Sequence, residues 1–292
     1  MRMAFRVWVV VGLIAVSLPA AMAQRHWAIV VHGGAGVIER SALGPEGDKA
    51  YREGLDRAIH AGAAVLDKGG SALDAVEATL HVLEDDPHFN AGKGAVFTRE
   101  GKNEMDASIM DGATLRAGAV AGVERVHSPI SAARAVMEKS PHVMIAGRGA
   151  DEFAARVGLK MEEPSYFFTE SRWQGLVKQL KKEGLPIPPR PAGVPPAGEN
   201  IPVAQLLDES PDSGVHGTTG VVVLDRNGNI AAGTSTGGMQ GKMPGRIGDS
   251  PIIGAGTYAS NQSCAVSGTG TGEYFIRLGV AQIGRASCRE RV

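Results

Sequence analysis

A mixed domain of strands and helices, α/β or α+β in class, is predicted by three features of this 292-residue chain. Its 43% hydrophobic content can bury one large core or two modest ones. Short β-branched runs bounded by turn residues recur along it, and amphipathic stretches at helical spacing lie among them. The two patterns alternate without a clean βαβ repeat, so composition supports the class and goes no further.

The first element is the apolar run at residues 27–31, a buried strand ending in His32-Gly33-Gly34-Ala35-Gly36, a turn tight enough to need glycines. A phosphate-cradling reading of this turn carries little weight, because the Walker lysine is missing and the dinucleotide spacing is absent. His32 reads as a satisfied histidine near the core. Residues 50–66 place Leu55, Ile59, Ala63 and Leu66 at helical spacing, and Gly69-Gly70 ends that helix. Ser71, with Asp74 three residues on, caps a second helix whose stripe is Leu73, Val76, Leu80 and Leu83. Glu84-Asp85-Asp86 then reads as a solvated helix terminus.

Residues 104–110 and 114–123 form a strand pair around the favoured turn Asp111-Gly112. Ser128 caps and Pro129 opens a helix through Val136 and Met137, closed by Ser140-Pro141. A strand at 143–146, a helix at 150–157 and a helix at 173–183 with basic final turns follow. Residues 184–217 have no apolar period and carry six prolines between Pro186 and Pro196, which predicts a mobile linker.

That linker ends at Gly217-Thr218, where the most informative stretch begins. Residues 218–224 are β-branched and apolar, 225–229 carry a turn pattern, and 230–234 return as the partner strand of a hairpin. Thr218 therefore puts a hydroxyl on the first residue of a strand, directly after a proline-rich segment. A cut between Gly217 and Thr218 would give that residue an α-amine as well. With a reference pKa of about 7.7–8, the amine can take the hydroxyl proton at neutral pH, so one residue would supply nucleophile and general base. Arg246 and Asp249 lie in a Gly/Pro-rich loop beyond the hairpin. A planar guanidinium and a carboxylate suit the carboxylate and ammonium of an amino acid, whereas a plain surface ion pair would be worth only about 0–1 kcal/mol.

The ends read differently from the middle. Arg2 and Arg6 precede an apolar run at 7–18, and Ala21-Met22-Ala23 is a small-x-small cleavage site, so residues 1–23 read as a secretory signal peptide. About 12 apolar residues fall short of the roughly 20 that a membrane span needs. A periplasmic protein with no membrane attachment after signal removal is expected. At the other end, residues 283–292 lack an apolar period, interrupt a helix starting near Glu273 and look like translated adapter sequence, so they are expected to be a non-native tail on a truncated chain. Charged residues make up 21% with a formal net of −1, which gives no indication of a nucleic-acid partner. Cys264 and Cys288 imply no intramolecular disulfide, and Cys264 reads as a small buried residue.

Six segments in order give the chain a resemblance to the plant-type L-asparaginase/isoaspartyl peptidases of the N-terminal-nucleophile hydrolases. They are His32-Gly33-Gly34-Ala35-Gly36, Phe89-Asn90-Ala91-Gly92-Lys93-Gly94, Gly217-Thr218-Thr219-Gly220, Thr234-Ser235-Thr236-Gly237-Gly238-Met239, Lys242 to Pro251, and Gly268-Thr269-Gly270-Thr271-Gly272-Glu273. The resemblance runs in the family's order from about residue 28 to about residue 280. Singly each segment is weak; together they are specific.

The resemblance implies a four-layer αββα sandwich and a chain that cuts itself into an α subunit (24–217, with the linker at 184–217) and a β subunit (218–282). It implies Thr218 as nucleophile, in register with Gly217 and in preference to Thr219, and Thr236 as the threonine that hydrogen-bonds it. Thr269 and Gly270 would form the oxyanion hole, and Asn90 would add a polar contact. Arg246, Asp249, Gly238, Thr269, Gly270 and Gly272 would bind substrate. The loop containing Leu83, Glu84, Phe89, Ala91 and Lys93 would be the place for a structural Na+ held mostly by backbone oxygens; no other cofactor is implied. The implied activity is hydrolysis of isoaspartyl dipeptides and L-asparagine, small-molecule substrates, by a dimer of αβ units. A glycosylasparaginase is the first alternative, disfavoured by Gly217 and Gly237. An inactive periplasmic amino-acid binding protein is the second, disfavoured by the intact Thr218, Thr236 and Thr269.

Overall fold

The computed structural model describes residues 26–34, 40–194 and 217–289. The expected signal peptide (1–23) and most of the linker (195–216) lie outside these residues.

Six strands form one sheet: β1 (Ala28–His32), β2 (Met105–Asp111), β3 (Ala117–Val123), β4 (Met144–Ala146), β5 (Thr219–Leu224) and β6 (Ile230–Thr236), in the order β1-β5-β6-β2-β3-β4. All neighbours are antiparallel except β3 and β4. β7 (Thr257–Ala259) and β8 (Ala265–Ser267) make a second, two-stranded sheet. Along β2, β5 and β6 side chains alternate between two buried faces, as a central layer requires. On one face Val221, Val223, Ala231, Ala107 and Ile109 meet the helices α1 (Arg40–Asp67), α2 (Ala72–Asp85) and α3 (Pro129–Lys139). On the other, Val222, Ala232 and Met110 meet Ala259 and Ala265 of the second sheet. α6 (Gly272–Leu278) leads into α7 (Val280–Arg289), which covers the outside of β7 and β8. The layers therefore run helix, sheet, sheet, helix. α4 (Gly147–Arg156) packs on β3, and α5 (Glu170–Glu183) forms a separate aromatic cluster of Phe97, Trp173, Leu176 and Leu180.

Local chemistry explains most boundaries. Ser71 caps α2 by accepting the Asp74 N–H at 3.1 Å. Gly184, at φ +67, closes α5 in the left-handed conformation. α1 begins earlier than its apolar spacing predicts, with a break at Gly44 (φ +65) before Pro45.

Four expectations are corrected. The β2–β3 hairpin does not turn at Asp111-Gly112: Asp111 instead accepts Ala113 N–H at 3.0 Å and the Thr114 hydroxyl at 2.6 Å, and a longer loop passes through Leu115 at φ +61. Ser128 stands at the N-cap of α3 but does not cap it; its hydroxyl donates to Glu84, whose other oxygen accepts the Ile130 N–H at 2.9 Å. Glu84 is accordingly not a solvated terminus but fully buried, and Asp86 nearby is buried as well. Residues 283–289, expected to break a helix, continue α7.

Candidate active site

The β5–β6 hairpin brings two threonines into contact. Thr219 is paired with Ser235, and one step earlier the Thr218 hydroxyl donates to Thr236 Oγ1 at 3.1 Å. Thr218 is 6% exposed, and Gly217 before it is also buried. Thr236 Oγ1 accepts a second hydrogen bond, from the Gly238 N–H at 2.9 Å. The neighbouring hydroxyl of Thr219 has another partner, the Ser235 carbonyl at 3.0 Å, and by strand alternation its side chain lies on the opposite face.

The loop after β6 is held from below by Asn90. Its amide donates to the Gly238 carbonyl at 2.7 Å and accepts Val96 N–H at 3.0 Å, while its own carbonyl accepts Gly237 N–H at 3.0 Å. Asn90 is fully buried, so the structure places it as a strut of the site loop. A Cβ at Gly237 would lie 2.5 Å from Asn90 Oδ1 and 2.7 Å from Val96 N, which leaves no room for a side chain. Gly238 takes φ +80 above the Lys242 ammonium.

Arg246, Asp249, Gly272 and Glu273 meet at a second edge. A Cβ on Gly272 would lie 2.9 Å from Arg246 Nη2 and 3.0 Å from Asp249 Oδ1, so this glycine lets the 246–249 loop close on the head of α6. Arg246 and Asp249 do not pair with each other. Arg246 donates from Nε and Nη2 to the Glu273 carboxylate at 3.0 and 3.1 Å. Asp249 is buried with Oδ2 lacking a partner among the described residues, and burial pushes its carboxyl up to about 6, with nearby Arg246 opposing. Thr269 Oγ1, in the turn between β8 and α6, is likewise buried without a partner among the described residues. Gly270 beside it has no room for a Cβ against the Phe275 ring.

Beneath these groups runs a chain of hydroxyls that the sequence reading missed. His32 Nε2 and Ser267 Oγ are 3.0 Å apart over Gly220, where a Cβ would collide with both. Ser267 contacts Thr234 at 2.8 Å, Thr234 contacts Thr257 at 2.5 Å, and Ser108 donates to the Ser250 carbonyl at 2.6 Å and lies 2.8 Å from the Thr257 hydroxyl. Thr234 shares the face of Thr236, as its two-residue spacing predicts. The other members come from both sheets. Burial lowers the His32 pKa, and a hydrogen bond with the Thr218 backbone opposes this. The chain thus ties the strand bearing Thr218 to β8, which leads into the Thr269-Gly270 turn.

Two buried charges were also missed. Asp106 is the cross-strand partner of Thr236; one oxygen accepts Gly122 N–H at 2.8 Å, the other has no partner among the described residues, and burial raises its pKa. Lys242 donates to the Glu104 carbonyl at 2.7 Å, and burial lowers its pKa against the pull of Asp106 and Glu104. Nothing local in the sequence marks these as buried, because Lys242 meets a segment 138 residues away.

In the loop after α2, glycines at 92 and 94 leave no room for a Cβ beside the carbonyls of Glu84, Pro87 and Phe89. Backbone carbonyl oxygens are the donor type that a hard cation takes.

A family model described as asparaginase matches residues 25–286. The chain is 48% identical over 249 residues to the isoaspartyl peptidase of Escherichia coli (strain K12), covering 85% of this chain and 73% of that protein. To the plant-type L-asparaginase of Pyrococcus abyssi (strain GE5 / Orsay) it is 46% identical over 255 residues, 87% of this chain and 77% of the relative. To the isoaspartyl peptidase/L-asparaginase of Rattus norvegicus it is 42% identical over 265 residues, 91% and 72% respectively.

Proposed function

The chain belongs to the asparaginase family, and from that premise we infer that it hydrolyses β-aspartyl (isoaspartyl) dipeptides and L-asparagine, releasing L-aspartate. The observation that carries the chemistry is the 3.1 Å contact between the buried hydroxyls of Thr218 and Thr236, at the first residue after Gly217.

Maturation comes first. The Thr218 hydroxyl adds to the Gly217 carbonyl, the amide C–N bond breaks as the acyl group moves from nitrogen to oxygen, and water hydrolyses the resulting ester. Gly217 leaves that carbonyl unhindered. Thr218 then carries a free α-amine, whose reference pKa of about 7.7–8 lets it take the hydroxyl proton. In turnover Thr218 Oγ1 adds to the side-chain amide carbonyl of the substrate. Charge grows on that oxygen, and the Thr269 hydroxyl with the Gly270 N–H stabilises it; the partnerless burial of Thr269 Oγ1 supports this role. The leaving amine takes its proton from the α-ammonium. Water then releases aspartate from the acyl-enzyme.

Arg246 binds the substrate's α-carboxylate and Asp249 its ammonium, with Gly238 and Gly272 giving close backbone approach. The absence of space at Gly237 supports the isoaspartyl peptidase branch over the glycosylasparaginase one. Residues 1–23 export the chain to the periplasm, two αβ units pair, and the loop at Leu83, Glu84, Phe89, Ala91 and Lys93 takes an alkali-metal ion that stiffens it through backbone oxygens.

Intact mass with N-terminal sequencing, followed by aspartate release from a β-aspartyl dipeptide and from a glycosylated asparagine, tests the reading. A fragment beginning at Thr218 and turnover of the dipeptide are expected. An uncut chain, or turnover of the glycosylated substrate alone, would overturn it.

A further inference from the structure

We propose that Glu273 is a positioning residue for substrate recognition: it grips one side of Arg246 so that the guanidinium presents its free edge to the substrate's α-carboxylate. The proposal rests on the reading above, in which Arg246 receives that carboxylate.

The geometry distinguishes positioning from competition. Glu273 accepts one N–H from Nε and one from Nη2 of Arg246, at 3.0 and 3.1 Å, in the side-on fork. A guanidinium has five N–H groups. Three remain, two on Nη1 and one on Nη2, and they form the end-on edge that can take a second carboxylate with two parallel bonds. That edge is held in place by backbone. Nη1 lies 2.9 Å from where a Cβ of Gly248 would stand, and Nη2 lies 2.9 Å from the corresponding point on Gly272. Asp249 Oδ1 is 3.0 Å from the same point on Gly272, and its other oxygen is buried without a partner among the described residues. The fork on Glu273 and the open end of Arg246 are thus different edges of one group, and the open one lies beside the carboxylate that takes the ammonium.

Exposure shows what the pair is for. The Arg246 side chain is 16% exposed and that of Glu273 is 55% exposed. An ion pair half in solvent adds little to stability. Its effect is to restrict a long, flexible side chain to one orientation. Glu273 also belongs to the first turn of α6, directly after the turn bearing Thr269 and Gly270. The same backbone segment therefore sets the oxyanion donors and the orientation of Arg246, so the two ends of one substrate are measured from one element.

The test is a Glu273→Gln variant of the full chain, with Glu273→Asp and an Arg246→Ala background. Glu273→Gln is expected to mature normally, keep its Tm, raise KM for a β-aspartyl dipeptide and for asparagine by about tenfold, and leave kcat within about twofold. Its Kd for L-aspartate, measured by calorimetry, should rise by a similar factor, with Glu273→Asp falling between. In the Arg246→Ala background the same substitution should change aspartate binding no further. A fall in KM would mean that Glu273 competes with substrate. An equal effect without Arg246, or a loss of kcat, maturation and Tm at unchanged aspartate affinity, would make Glu273 a structural residue of α6. Either result overturns the proposal. Failure of the hydrolase reading looks different: the unaltered protein would not cleave either substrate, while aspartate binding would still report on Glu273.

Discussion

The hydroxyl of Thr218 donates to that of Thr236 at 3.1 Å, whereas its neighbour Thr219 donates to the Ser235 carbonyl at 3.0 Å. Two adjacent threonines of the same chemistry thus have opposite fates. Thr218→Ala should leave the chain uncut and inactive, and Thr218→Ser should still mature. Thr219→Val should mature and turn over normally, at a stability cost of about 1 kcal/mol for one neutral hydrogen bond. Intact mass and aspartate release decide the matter, and an uncut Thr219→Val beside a maturing Thr218→Ala would reverse the assignment.

The Thr269 hydroxyl oxygen is buried and has no partner among the described residues. A buried polar group without a partner costs roughly 1–3 kcal/mol in the folded state, so Thr269→Val should hold or raise Tm. The same change removes a donor from the developing oxyanion and should lower kcat roughly 10²–10³-fold with KM little altered. Higher stability with lower activity is the distinguishing result. A raised KM at constant kcat would instead place Thr269 in ground-state binding.

Where a feature is decided within a few residues, the sequence announces it. Ser71 and Asp74 give the start of α2, and β-branched runs around the turn at 225–229 give the β5–β6 hairpin. The six motifs also pointed to Thr218, Thr236, Arg246, Asp249 and Thr269, although they could not say that Arg246 pairs with Glu273 rather than Asp249. The Asp111-Gly112 turn failed because the Asp111 carboxylate captures Thr114 and Ala113, which favours a longer loop. Glu84 failed for the opposite reason. Its burial depends on Ile130 and Ser235, which are 46 and 151 residues away. Ser267 and Ser108 lie on different sheets, and only the packing of one sheet on the other joins them through Thr234 and Thr257.

Asp249 sets a pH dependence. An ordinary aspartate, with pKa about 3.9, would stay charged at pH 5; burial lifts this one to about 6. Only the carboxylate attracts the substrate ammonium, so affinity for L-aspartate should be constant above about pH 7 and weaken as pH falls through 6, approaching tenfold per unit. Calorimetric titration between pH 5 and 8 reads this directly, without the contribution of the Thr218 amine to turnover. Asp249→Asn should bind weakly at every pH with a flat profile. A limb near pH 4 in the unaltered protein would show that Asp249 is not the ammonium partner or is not desolvated.

Glu84 joins two helices and a strand at one carboxylate. It stands in the last turn of α2, accepts the Ile130 N–H at 2.9 Å and the Ser128 hydroxyl at the head of α3, and receives the Ser235 hydroxyl of β6 at 2.6 Å. Ser235 lies between Thr234 and Thr236, so this support stands directly behind the face that carries those two hydroxyls. Glu84→Ala strands three buried donors, each worth about 1–3 kcal/mol, and removes the cap of α3, so a loss of more than about 3 kcal/mol is expected. Glu84→Gln keeps the oxygen that accepts both the Ile130 N–H and the Ser235 hydroxyl, and the Ser128 hydroxyl can rotate to accept from the new amide nitrogen, so it should cost less than half as much. Urea unfolding of the two variants measures the difference. If Glu84→Ala unfolds within about 1 kcal/mol of the parent, the three donors find water or other partners, and the carboxylate is not the joint between the helices and the catalytic strand.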